Sequence, residues 1–251
     1  MLGYIQKRCR LDKVEMCVGA YSTRIERSLG EIEAILESIR DFIHGLGCDL
    51  EITVRRGYAS KSPSIFYDRS STSIIVRPLA LLKDIIIYNE YTGLGLSDIL
   101  FFMFAHEYGH YELHSLGVSS PHVEESYRFP ILYSKFEDYA VSRILRGRLY
   151  REREQKILSC NAMMSVRMLQ SEMLGKIFDW HLSYLTRTMI TRNMESIATL
   201  GLTTALEYTS EVDLRELPEY IKLLILRIAD QMRRINRETL HDLPDIAYRT
   251  W

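Results

Sequence analysis

His106, Glu107 and His110 stand in the order His-Glu-x-x-His within Phe104-Ala105-His106-Glu107-Tyr108-Gly109-His110. On a helix, residues four apart share one face, so both imidazoles can reach a single divalent metal. Neutral imidazole suits zinc (Zn2+), and a structural or catalytic zinc takes two such ligands readily. Glu107, one residue on, is placed to act on a water beside the metal rather than on the metal itself. Two ligands, a carboxylate base and an open position for water are the ingredients of metal-assisted hydrolysis. The bland alternative is a polar cluster satisfied without metal at the end of a buried helix.

A helix must carry these residues, and the flanking sequence provides for one. Ser97-Asp98 offers an N-cap ahead of the apolar run Ile99-Leu100-Phe101-Phe102-Met103-Phe104-Ala105, and Leu116-Gly117 offers a stop. A third protein ligand is still needed. His114 continues the four-residue series but lies about 12 Å along the axis from His106. Three residues strung along one straight helix do not surround an ion, so His114 is expected on the helix surface. His122, in Ser119-Ser120-Pro121-His122, is one possible ligand from a loop.

Glu137 is the stronger candidate. It opens Glu137-Asp138-Tyr139-Ala140-Val141-Ser142-Arg143-Ile144-Leu145, where apolar residues recur at helical spacing. A second helix bringing Glu137 to the first would complete a His106, His110, Glu137 metal set, and small Ala140 one turn on would permit close approach. Asp138 points about 100° away from Glu137 and reads as a weaker ligand, an exposed charge or an outer partner of a ligand histidine.

His106-Glu107-x-Gly-His110 followed by Glu137-x-x-Ala140 resembles the gluzincin metallopeptidases. The soluble ImmA/IrrE-like and the HtpX/Ste24-like peptidases are the nearest analogues, over the segment Ile99 to Leu145. The resemblance implies zinc ligands at His106, His110 and Glu137 and a catalytic base at Glu107. It also implies an α+β, minimal zincin-like catalytic domain: a helix, a small antiparallel sheet, the His-Glu-x-x-His helix and a Glu-bearing helix. Departures are visible. Val141 replaces the Asp or Asn that usually follows the alanine, and Glu112 stands where an apolar residue is common. Leu113 and Leu116 occupy the positions where metzincins place a glycine and a third histidine.

Composition narrows the rest. The 251 residues are 47% hydrophobic and 26% charged, as in ordinary folded proteins. A net charge of −1 gives no footprint for nucleic acid. The basic stretch Arg227–Arg237 is interrupted by Asp230 and reads as a solvated helix face. Cys9, Cys17, Cys48 and Cys160 have no paired spacing, so free thiols in a reducing cytoplasm are expected. Charges through Met1–Val18 argue against a signal peptide, and no uncharged apolar stretch is long enough to span a membrane. That last point favours the soluble analogues over the membrane-embedded ones.

Upstream, Arg24–Leu46 has the apolar stripe of an amphipathic helix, and Leu50–Arg55 alternates like a strand. Ser64–Tyr67 and Ser73–Arg77 form an expected hairpin around Asp68–Thr72. Ile74–Arg77 is the candidate edge strand for binding an extended substrate by strand addition, or else an ordinary core strand. Leu79–Ile87 is expected to be a short helix, with a loop at Asn89–Gly95. Beyond Leu145 the spacing predicts helices over Arg148–Leu174, Lys176–Arg192, Met194–Tyr208 and Leu217–Thr239. The methionines from Met163 to Met194 read as helical core filler rather than a metal box.

The expected organisation is therefore a zincin-like domain at 1–147 and a helical C-terminal region at 148–251. The expected function is a cytoplasmic zinc metallopeptidase acting on a peptide or protein substrate. The alternative is a catalytically inactive zinc-binding regulatory or interaction protein working through its helical region. Tyr127, Tyr133, His122 and His181 compete as second donors to the oxyanion, and residue type does not choose among them.

Overall fold

The computed structural model describes residues 30, 34, 37, 50–55, 63–118, 130–145, 151–174, 193–206 and 212–250. It is a mixed α+β fold, mostly helical, with one three-stranded sheet. The chain divides into two compact units, 1–86 and 87–251.

In the first unit, β1 (Glu51–Val54), β2 (Ile65–Asp68) and β3 (Ser73–Val76) pair in the order β1-β3-β2. The β2–β3 hairpin is antiparallel, with Ile65 opposite Val76 and Asp68 opposite Ser73. Asp68 organises its turn, accepting hydrogen bonds from the Ser70 amide (3.1 Å), the Ser70 hydroxyl (2.7 Å) and the Ser71 hydroxyl (2.9 Å). β1 pairs with β3 in parallel, so the sheet is mixed rather than wholly antiparallel as expected. Of the two readings of Ile74–Arg77, a substrate-binding edge or an ordinary core strand, the second holds for its strand residues. β3 is the central strand, hydrogen-bonded on both sides, and Ile74, Ile75 and Val76 are fully buried. A run of three apolar residues without alternation is what a strand covered on both faces carries.

Pro78 opens helix α1 (Pro78–Thr92), where the first turn has no use for an amide donor. The helix runs past the expected loop at Asn89. The Asn89 side chain donates to the Leu94 carbonyl at 2.8 Å, and Thr92 Oγ1 accepts from the Leu94 amide at 3.2 Å. Those side chains serve the helix end instead of breaking it. Gly93, at φ +67, makes the stop.

In the second unit, α2 (Leu96–Ser115) carries the His-Glu-x-x-His residues. It begins one residue before the expected cap: Gly95 holds the N-cap position in extended backbone, and Asp98 lies in the first turn, favourable to the helix dipole. Asp98 also pairs with Arg153 of α4 at 2.9 Å. The far end closes as expected at Leu116-Gly117. Gly117 takes φ +75, its amide donates to the His114 carbonyl (2.9 Å), and the Val118 amide donates to the Leu113 carbonyl (3.3 Å). This is a Schellman closure, and its flanking pair Leu113 and Val118 is buried in the core.

Among the described residues five more helices follow: α3 (Pro130–Leu145), α4 (Arg151–Leu174), α5 (Met194–Ala205), α6 (Glu219–Arg233) and, after a 3-10 turn at Leu240–Asp242, α7 (Leu243–Thr250). α5 is buried at every residue except Glu195. Its threonines are satisfied within the helix: Thr199, Thr203 and Thr204 donate to carbonyls four residues back at 2.8–2.9 Å. α6 is amphipathic, burying Ile221, Ile225, Ile228, Ala229 and Met232. It stops at Arg233, short of the expected Thr239, because Asn236 and Thr239 build a local turn through the Asn236 side chain. α7 falls within the helical region expected over 148–251, although no separate helix is expected at its position. Of the helix expected over Arg24–Leu46, Gly30, Ala34 and Glu37 are described and are helical. The one expected over Lys176–Arg192 lies outside the described residues.

α3 packs against α2 as well as against α5 and α7. Leu132, Phe136, Tyr139 and Ala140, all nearly or fully buried, form its apolar stripe in the helical core. On another flank of the same helix, Asp138 reaches the α2 histidines.

Candidate metal centre

The two histidines are held by α2 with their rings edge to face, centroids 4.9 Å apart at 84°. Their Nε2 atoms are separated by 3.3 Å. Into this pair reaches Asp138 of α3: its Oδ1 lies 3.2 Å from His106 Nε2 and 3.4 Å from His110 Nε2. Side-chain exposures of 25%, 20% and 15% for His106, His110 and Asp138 leave the cluster largely enclosed yet within reach of solvent.

Three donor atoms thus form a triangle with edges of 3.2, 3.3 and 3.4 Å. Zinc lies about 2.0–2.1 Å from such ligands, which places any two corners of its tetrahedron about 3.3–3.4 Å apart. An octahedral ion with bonds of that length, such as magnesium, needs neighbouring ligands about 2.9 Å apart. The donor chemistry, two imidazole nitrogens and one carboxylate oxygen, and the triangle's size are compatible with a bound divalent metal ion. Among the described residues, His106, His110 and Asp138 are the group that could hold a metal ion.

Electrostatics tie the cluster together. Burial pushes the His110 imidazole toward the neutral form, but the hydrogen bond and charge of Asp138, with the charges of Glu107 and Glu137, outweigh it and lift its pKa to about 9. Burial likewise opposes the Asp138 carboxylate. The charge of Lys135 and the hydrogen bonds from His106 and His110 reverse this and hold it well below the usual carboxylate range.

Glu107, the expected base, is buried on α2, and its charge acts on His110. Glu137, the expected third ligand, is half-buried on α3. Its charge also reaches His110, but it is Asp138, one residue on, that joins the two imidazoles in the metal-capable group. Helix geometry explains the placement of Asp138. At about 100° per residue it lies opposite the stripe of Leu132, Phe136, Tyr139 and Ala140. On that side its Oδ1 meets both imidazoles of α2.

His114 is half-buried in the last turn of α2. Tyr133 is buried in the helical core, while His122, Tyr127 and His181 lie outside the described residues. Lys135 joins the cluster without any expectation from the sequence. Its Nζ donates to Asp138 Oδ2 at 3.0 Å, and the spacing Lys-x-x-Asp on one helix was the available signal.

Comparison with known proteins adds no identification: no protein family, curated protein or solved structure matches this chain.

Proposed function

We propose that the chain is a zinc-dependent peptidase whose metal is held by His106, His110 and Asp138, with Glu107 as general base. The observation that carries this reading is the donor triangle on α2 and α3, sized for a tetrahedral ion. Zinc bound there supplies the Lewis acidity that makes water a nucleophile near neutral pH. With the metal in place, Glu107 would serve as the base that takes a proton from the attacking water and would return it to the leaving amine nitrogen. A buried carboxylate next to the ligand pair, as Glu107 is, suits a base that must hold a proton between two steps.

The substrate class is a peptide or protein. Cys160 is a free, buried thiol, in keeping with work in a reducing cytoplasm. No described helix is long and apolar enough to cross a membrane.

Metal analysis of the purified protein, together with Glu107→Gln, tests the proposal. About one zinc per chain, peptide hydrolysis by the wild type, and a variant that keeps zinc but loses hydrolysis would support it. A wild type that takes up zinc and cleaves no peptide would replace it with the zinc-binding regulatory reading. A wild type that refuses zinc would end it.

A further inference from the structure

We infer that Lys135 is a positioning residue of the metal centre, holding Asp138 as a ligand through one oxygen only; the inference rests on the metal reading above. The two oxygens of Asp138 are engaged by different partners. Oδ1 faces both imidazoles, at 3.2 and 3.4 Å. Oδ2 accepts a hydrogen bond from Lys135 Nζ at 3.0 Å. A carboxylate can bind a metal through one oxygen or through both. With an ammonium group on Oδ2, Asp138 presents Oδ1 alone.

This pair differs from a solvated surface bridge. The Lys135 and Asp138 side chains are 23% and 15% exposed, so the contact is mostly withdrawn from solvent. It is also backed from another helix: the charge of Glu195, in the first turn of α5, acts on Lys135. The contacts run from Lys135 through Asp138 on α3 to the histidine pair on α2. A ligand's outer hydrogen-bond partner of this kind fixes its orientation. Here the consequence is specific: a one-oxygen ligand leaves the fourth position to water and substrate, which a two-oxygen ligand would crowd.

Cobalt in place of zinc makes the coordination number visible, because four-coordinate cobalt(II) absorbs visible light more strongly than five-coordinate. The experiment compares cobalt-loaded wild type, Lys135→Met and Lys135→Gln. The wild type should show the strong absorption of a four-coordinate site. Lys135→Met, which cannot donate to Oδ2, should lose much of that intensity. Lys135→Gln, which restores a donor without the charge, should recover it. Wild-type absorption retained by Lys135→Met would overturn the role given to Lys135 while leaving the metal site intact. A weak band already in the wild type would overturn it too. A wild type that binds neither cobalt nor zinc would overturn the metal reading and this one together. If Lys135→Met fails to fold by circular dichroism, Lys135→Ala serves as the donor-free variant, and its spectrum against the wild type decides.

Discussion

Asp138 reaches His106 from a different helix, Oδ1 to Nε2 at 3.2 Å, and this contact rather than any feature of α2 alone makes a three-donor site. Glu137 is its immediate neighbour, and the two carboxylates give opposite predictions when removed singly. Asp138→Ala should weaken zinc binding by more than the roughly 10- to 100-fold that loss of an outer partner costs. Glu137→Ala should stay within about ten-fold of wild type, because it removes a charge near His110 and not a donor of the triangle. Competition with a chelator reads both affinities. The reverse order would make Glu137 the ligand and Asp138 its outer neighbour.

Proton release on zinc binding follows from the raised affinity of His110 for a proton. In the metal-free protein its pKa moves from 6.5 to about 9. A raised value in the folded state means that this group's contribution to stability is complete below pH 6.5 and is lost as pH rises through about 9. Asp138 has the opposite sign: its folded value is depressed, so its contribution is present above 3.8 and fades as pH falls through that lower value. Zinc needs the neutral imidazole. Between pH 6.5 and 9, zinc uptake should therefore expel a proton from His110, and apparent zinc affinity should rise with pH across that window. Titration calorimetry in two buffers of different ionisation enthalpy measures the proton count. A count of zero in the middle of the window would mean that His110 is already neutral.

Much of this site could be read from the sequence because its parts obey local rules. The four-residue spacing put His106 and His110 on one face, and Leu116-Gly117 marked the end of their helix where Gly117 indeed turns left-handed. What escaped depends on partners distant in sequence. Asp138 and Glu137 lie about 100° apart on α3, and the rotation of that helix against α2, which decides which of them meets the histidines, is set by packing between distant segments; it is Asp138 that joins the two imidazoles. The sheet shows the same limit: β2 and β3 paired as a hairpin should, but the parallel pairing of β1, which makes β3 central, joins strands with a third between them in sequence.

The end of α2 also invites a direct test. Gly117 adopts φ +75 to let its own amide and that of Val118 close on His114 and Leu113. No neighbouring atom lies within 4 Å of a Cβ built there, so the cost of Gly117→Ala comes from backbone conformation alone. A left-handed conformation costs an L-residue about 1–2 kcal/mol. Denaturant unfolding should report a loss of that size. No loss would mean that the last turn unwinds at little cost.

Gly201 presents the contrary case, a glycine required by space. It sits within buried α5, and a Cβ there would lie 2.5 Å from Ile228 Cγ2 and 2.9 Å from Ile228 Cβ on α6. Alanine improves the helix by up to about 1 kcal/mol in a free position. Here the obstructing atoms lie close to the α6 backbone and give little, so overpacking, typically about 1–3 kcal/mol, should prevail and Gly201→Ala should destabilise. Ile228→Ala alone should cost about 2–5 kcal/mol, since Ile228 is fully buried and its removal leaves a cavity. If the two side chains compete for one space, that second cost should shrink in the Gly201→Ala background. A double-mutant cycle measures the difference directly. Strict additivity would mean that α5 and α6 separate to admit the new methyl group instead of forcing it against Ile228.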